Sequence, residues 1–421
     1  MNITMMALGS RGDVYPYAAM GKGLVARGHT VRFATFALFR DVIEEAGMTF
    51  VHVRGDIQSM LRDPAGRSLM DSGQNPLRMA DAVLKMLGVL ADGFAEDFSA
   101  LLAFETDLII NQLPGGLYGT DLAEALSVPQ VLAAVMPLEA SNEMPLMGFP
   151  RNLSFIPGYN RLTHFIGHQV VWLGFGRAVN RWRKNTLSLP PITRRQYNPP
   201  FGNQSCTVLN AFSPFVVVRP ADWGPHVHMT GYWYPEEPAW EPPDALTAFL
   251  EEGDPPVFIG FGSMAVRDPD STTGLVLTAL QETGLRAILH AGWGDLGRLA
   301  LSEAIFPVDY VPYGWLFPRM AAVVHHGGAG TTAFALRAGV PSLVVPFLFD
   351  QYFWGQRTQD LGVGPASIPQ KRLTEDNLAA SLRIATKSSS MRRRAAELGK
   401  KLQREDGIQQ AIDILELSFE G

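Results

Sequence analysis

The chain of 421 residues has a single cysteine, Cys206, so no intrachain disulfide can form and a reducing compartment, the cytoplasm, is expected. Cys206 has no base near it in sequence and reads as a small buried residue. No apolar run reaches the length needed to span a bilayer. The first residues read as a strand rather than as a charged segment with a long apolar stretch, so no signal peptide is expected. Basic residues are not in excess; a net charge of −6 argues against nucleic acid as a partner. Acidic residues are missing locally, since none of the 41 Asp and Glu falls in 144–221. That stretch carries Arg151, Arg161, Arg177, Arg181, Arg183 and Lys184 together with Phe155, Tyr159, Phe165, Trp172, Phe175 and Trp182. Such a segment suits an anionic membrane surface, or a cover over an apolar ligand, or an amphipathic helix pair whose basic side is simply solvated.

What is present is a soluble globular composition, 47% hydrophobic and 18% charged, in a chain too long for one ordinary core. Residues 2–8 are apolar and β-favouring, Gly9-Ser10-Arg11-Gly12-Asp13 is a turn, and Tyr17, Met20, Leu24 and Val25 recur at helical spacing. Strands are predicted at 30–35, 50–53, 107–111 and 130–135, with helices at 39–46 and 117–126. This alternation implies a parallel sheet with crossover helices. The same grammar restarts near Pro256, with strands at 257–261, 286–290, 305–310, 321–324 and 340–346. A segment rich in Pro and Glu, 233–243, separates the halves as a linker, and 378–419 is helical and charged.

The most informative stretch is Val323-Val324-His325-His326-Gly327-Gly328-Ala329-Gly330-Thr331-Thr332. A buried strand ends in a histidine pair and a glycine turn, and a helix opens at once. Unpaired N–H groups at a helix start, with the dipole behind them, suit an anion such as phosphate. A satisfied structural turn is the plainer reading. The stretch is no P-loop, because no Gly-Lys-Ser/Thr follows, and no dinucleotide fingerprint, because the third glycine is missing.

Three blocks carry a family resemblance. They are Leu8-Gly9-Ser10-Arg11-Gly12-Asp13-Val14-Tyr15-Pro16, Phe258-Ile259-Gly260-Phe261-Gly262-Ser263-Met264, and the run from Tyr310-Val311-Pro312 through the His-Gly block to Asp350-Gln351-Tyr352-Phe353-Trp354-Gly355. With them the chain resembles nucleotide-sugar-dependent glycosyltransferases of the GT-B architecture, α/β proteins of two doubly wound Rossmann-like domains facing each other across a cleft. It is similar to the group holding sterol glucosyltransferases and the bacterial enzymes that glycosylate antibiotics and lipids. The resemblance implies an acceptor-binding domain at 1–232, a nucleotide-sugar-binding domain at 244–395, and a C-terminal helix at 396–421 that crosses back to the first domain.

It also implies roles. His326 would contact the donor pyrophosphate, Gly328, Ala329, Gly330, Thr331 and Thr332 would cradle the phosphates, and Ser263 would reach them from another loop. Ser10, Arg11 and Gly12 would line the donor side of the first turn; Arg11 would steady the diphosphate or bond Asp13. Tyr310 and Val311 match the place where uracil stacks, and Asp350 and Gln351 the pair that holds sugar hydroxyls, although an Asp at a helix start is also a cap. Phe334 stands where plant relatives place a glutamate for the ribose; sterol-type relatives also lack that acid. The expected co-substrate is a nucleotide sugar, UDP favoured over dTDP, with no cofactor and no metal. Asp268-Pro269-Asp270 reads as a solvated turn. The acceptor would be a small hydrophobic alcohol or phenol, such as a sterol, polyketide or lipid hydroxyl, with Phe165 and Trp172 as candidate lining residues.

The reaction would be single displacement at the anomeric carbon, inverting its configuration. Asp13 would act as general base, where plant relatives carry histidine, or would cap the helix after it, or both. A nucleotide-sugar epimerase and a catalytically silent nucleotide-sugar binder are the competing readings; the long aromatic segment speaks against the first, Asp13 and His326 against the second.

Overall fold

The computed structural model describes the whole chain except residues 57–62, 65, 69–74, 114–115, 198–205, 238, 263–268, 291–301, 349 and 420–421. The chain divides into two compact units, Met1–Pro235 with Asp406–Gly421, and Glu236–Glu405.

The first unit is built on a parallel sheet of seven strands: β1 (Asn2–Met6), β2 (Thr30–Phe36), β3 (Thr49–Val53), β4 (Leu108–Asn111), β5 (Gln130–Ala134), β6 (Thr207–Asn210) and β7 (Val227–Met229). Their order is β3-β2-β1-β4-β5-β6-β7. Strands such as β4 are buried at every residue, as expected of a sheet covered on both faces. The chain runs outward from β1 to β3 and then returns to β4 on the other side of β1. The order therefore reverses between β1 and β4, and in open α/β sheets ligands lie beyond the carboxyl ends of the strands at such a point. The ends of these two strands are pinned together there. Gln112 N–H donates to Met6 O at 2.9 Å, and Leu8 N–H donates to Gln112 Oε1 at 3.2 Å.

The Arg11–Ala26 helix follows β1, and the C-terminal Gly407–Phe419 helix packs on it. Gly23 makes this approach possible, because a Cβ there would lie 2.8 Å from Ile412 Cδ1 and 2.9 Å from Ile408 Cγ2. Arg27 then pairs with Asp413 at 2.6 Å. The preceding Ser389–Leu402 helix belongs to the second unit, so the tail returns to the first unit only from Asp406 onward.

The second unit has five parallel strands, β8 (Val257–Gly260), β9 (Ala287–His290), β10 (Ile305–Val308), β11 (Ala322–His325) and β12 (Ser342–Val344), in the order β10-β9-β8-β11-β12. Phe249, Phe258, Ile288, Leu316, Phe317 and Val323 are among its core residues. The Pro- and Glu-rich segment is anchored within each unit. Trp233 is buried edge-on against Tyr17 in the first, with ring centroids 5.7 Å apart, and Trp240 packs on Trp315 in the second, at 5.0 Å. Among the described residues, no helix is long and apolar enough to cross a membrane.

Candidate active site

In the second unit β11 ends in His325 and His326. Gly327 takes the left-handed φ of +91° that turns the chain, and the Ala329–Ala338 helix begins after Gly328. Gly327 N–H donates to His325 Nδ1 at 3.1 Å, which leaves the proton of a neutral His325 on Nε2. Burial pushes the His325 pKa down to about 3 and the His326 pKa down to about 4, so both rings are neutral at pH 7. The His326 ring is only 8% exposed. A Cβ on Gly262 would sit 2.8 Å from its Cε1, and a Cβ on Gly328 would sit 2.5 Å from its Nε2. Two glycines from two loops thus admit the ring between them. Among the described residues, His326 Nδ1 and the buried Thr332 Oγ1 find no hydrogen-bond partner. The first N–H groups of the Ala329–Ala338 helix have no intrahelical acceptor either. A neutral imidazole, a hydroxyl and several backbone donors therefore stand together at one helix start, a donor set that fits a diphosphate.

The other donor-side positions lie on loops at the same, carboxyl-terminal edge of this sheet. Tyr310, 49% exposed, and the buried Val311 follow β10. Asp350 opens the Asp350–Asp360 helix beyond β12. Gln351 is the next residue of that helix. Its Oε1 accepts the N–H groups of Phe347, at 2.8 Å, and Leu348, at 3.2 Å, so its carbonyl end is committed to holding the turn before the helix. Phe334 packs edge-on against Tyr313, with centroids 6.2 Å apart, as part of the apolar core. Ser263 and Asp268 lie outside the described residues; Asp270 sits in the first turn of the Pro269–Thr283 helix.

In the first unit the turn after β1 places Asp13 at the reversal point of the strand order. Asp13 Oδ2 accepts from both the N–H and the hydroxyl of Ser10, each at 2.8 Å. Gly9 has φ +138°, and a Cβ there would lie 2.5 Å from Asp13 Oδ2, so glycine is needed for this carboxylate to fit. Desolvation raises the Asp13 pKa above its usual value, against the two Ser10 bonds, which lower it. Tyr17 donates its hydroxyl to Ala133 O at 3.0 Å. Burial, with the Asp13 charge as a smaller cause, keeps this phenol protonated well above its normal range. Ser10 thus orients Asp13, while Arg11 and Gly12 are exposed beside it.

Phe165 and Trp172 lie on the Tyr159–Asn185 helix. Phe165 is 56% exposed, and Trp172 packs against Tyr197 at 5.0 Å. Gly9, Gly262 and Tyr17 escaped the sequence reading as site-forming residues. The two glycines act by the space they leave, which only a fold reveals, and Tyr17 reads as one apolar position of a helix.

Because a side chain at Gly328 meets the His326 ring, Gly328→Ala is expected to weaken nucleoside diphosphate binding by about tenfold, roughly 1.4 kcal/mol, in calorimetric titration with little change in melting temperature. Unaltered affinity would contradict the role given to this ring.

Two family models match the chain. Residues 3–145 match the Glycosyltransferase family 28 N-terminal domain, and residues 286–411 match the C-terminal domain of Erythromycin biosynthesis protein CIII-like proteins. Two sterol 3-beta-glucosyltransferases of Arabidopsis thaliana are each 37% identical over 98% of the chain, which spans 67% of one and 64% of the other. A sterol 3-beta-glucosyltransferase of Cryptococcus neoformans is 36% identical over 99% of the chain, which spans 27% of that protein. Among solved structures, the glycotransferase of kitacinnamycin superposes with a TM-score of 0.73 at 19% identity, covering 99% of both chains. The calicheamicin glycosyltransferase gives 0.68 at 16% identity, covering 99% of this chain and 98% of its own. These two share the fold, and the plant relatives fix the kinship: the chain belongs to the GT-B glycosyltransferase family that includes the sterol 3-beta-glucosyltransferases.

Proposed function

We propose that the chain transfers glucose from UDP-glucose to the hydroxyl of a sterol or a similarly lipophilic alcohol, with inversion and with Asp13 as general base. The observation that carries this reading is the Asp13 carboxylate held by Ser10 at the reversal point of the first sheet. Both Ser10 bonds fall on Oδ2, so Oδ1 is the oxygen that takes the proton. The acceptor oxygen forms its bond to the anomeric carbon, the bond from that carbon to the diphosphate oxygen breaks, and the hydroxyl proton passes to Asp13. The raised pKa of Asp13 makes it a better base than an ordinary carboxylate.

The leaving diphosphate gains negative charge as the bond breaks. His326, Thr332 and the N–H groups at the start of the Ala329–Ala338 helix face that charge as fixed donors, so they stabilise the transition state more than the ground state. Asp350 is assigned to the sugar hydroxyls and Tyr310 and Val311 to the uracil, with Ser263 as a further phosphate contact. Gln351 serves them by fixing the turn on which Asp350 stands. The sterol glucosyltransferase relatives favour glucose and a sterol, and they lend no support to an epimerase or a silent binder.

A lipophilic acceptor resides in membranes, and the first unit has a surface suited to meet one. Leu162, Phe165, Ile166 and Leu173 are exposed along one face of the Tyr159–Asn185 helix, with Phe155 and Ile156 exposed just before it. Arg161, Arg177 and Arg181 are exposed on the same helix, and 144–221 contains no acid. An apolar face flanked by arginines is drawn to an anionic bilayer surface.

Asp13→Asn should reduce turnover by about 10² or more while UDP affinity stays near normal; unchanged turnover would remove Asp13 from the base role. In flotation assays the protein should rise with vesicles containing anionic lipid and remain below with neutral ones. The double variant Leu162→Asp/Phe165→Asp should stay below in both cases, and flotation of that variant equal to wild type would reject this surface.

A further inference from the structure

The loop after β5 carries a second carboxyl that the transfer reaction does not use. Glu139 is only 5% exposed, and Asn210, the last residue of β6, is fully buried beside it. Asn210 Nδ2 donates to Glu139 Oε2 at 3.4 Å, while among the described residues Glu139 Oε1 and Asn210 Oδ1 find no hydrogen-bond partner. An unsatisfied buried acceptor is costly, and here two lie together. Burial raises the Glu139 pKa to about 7, against the backbone of Glu139, the Asn210 amide and the backbone of Leu138, which lower it. Cys206 is the titratable neighbour, and its thiol is pushed up to about 12, chiefly by burial.

The pair cannot relieve itself by swinging into water, because the loop is tied down. Ser141 Oγ donates to Asp222 Oδ1 at 2.9 Å and Asn142 N–H to Asp222 Oδ2 at 2.7 Å. Leu146 N–H donates to Thr163 Oγ1 at 2.8 Å, and Asn160 Nδ2 to Asn142 O at 2.7 Å. The result is a preorganised carboxyl–amide pair at the same sheet edge as Asp13, with only β4 between β1 and β5. Tyr17 links the two places, since it bonds the Ala133 carbonyl on β5 and feels the Asp13 charge.

We propose that Glu139 and Asn210 receive a second hydrogen-bond donor of the acceptor molecule, a hydroxyl remote from the one that is glycosylated, and so select among lipophilic alcohols. The proposal rests on reading the first unit as the acceptor half. A hydroxyl suits the pair better than an ammonium group, because burial already disfavours charge there. A site built around a hydroxyl discriminates strongly against the analogue that lacks it, since its polar groups are then left unpaired.

The test compares one monohydroxy sterol with sterol diols of the same skeleton, whose second hydroxyl is placed at different positions, as substrates with UDP-glucose. Wild type should prefer at least one diol by about tenfold or more in kcat/KM. Glu139→Leu should bring that ratio close to one, and Glu139→Gln, which keeps an acceptor oxygen, should retain part of it. A ratio unchanged in both variants overturns the proposal, as does a wild type with no diol preference, which would mean that a trapped water fills the gap. In either case continued glucosylation of the monohydroxy sterol leaves the transferase reading standing. If wild type glucosylates none of the sterols, that reading fails first and takes this inference with it.

Discussion

Asp13 can hold its place only because the residue four positions before it has no side chain. The left-handed backbone at Gly9 leaves the volume that the carboxylate fills, and Ser10 then fastens one oxygen with two bonds. These two facts decide the chemistry available to the first unit. Desolvation favours the protonated acid and the Ser10 donors favour the carboxylate, and desolvation is the larger effect. What results is a carboxylate that is oriented and more basic than one in water. The same contacts close the first turn of the Arg11–Ala26 helix, so a cap and the proposed base can share one arrangement.

The second unit solves a complementary problem with different means. In the proposed reaction it would meet a diphosphate whose charge grows as the bond breaks. Burial keeps His325 and His326 neutral, and Gly262 and Gly328 let the His326 ring sit where a Cβ on either would exclude it. A neutral ring donates one hydrogen bond without a net charge. The dipole and the unpaired N–H groups of the Ala329–Ala338 helix add the remaining favourable field. Helix, ring and hydroxyl are fixed before the reaction starts, so they need little reorganisation as charge develops.

The alternation of apolar strands and glycine-stopped helices was plain in the sequence, and every strand expected from it exists within a few residues of its expected ends. The His-Gly block was legible because a buried strand, a glycine turn and a helix follow one another without interruption. What stayed hidden depends on contacts between distant segments. β6 and β7 are short, and they are strands because of their neighbours in the sheet. The Pro76–Ser99 helix, capped by Asn75, has a role that emerges only from its packing on the Tyr159–Asn185 helix. Gln351 carries the motif of a sugar-binding amide, and only the fold shows that its oxygen also accepts the N–H groups of Phe347 and Leu348. Glu139 gives no signal in a single sequence, because an acid in a loop is ordinarily solvated and only the fold buries it.

The central claim is that the Asp13 carboxylate, held by Ser10, accepts the proton of the acceptor hydroxyl. The pH dependence of kcat/KM in wild type and in Ser10→Ala tests this most directly. Protonated Asp13 cannot accept, so activity should fall on the acid side through a pKa above the ordinary 3.8. Removing the Ser10 hydroxyl removes a bond that favours the carboxylate, so in Ser10→Ala the acid limb should move to higher pH. An acid limb that stays in place, or moves to lower pH, would contradict the account.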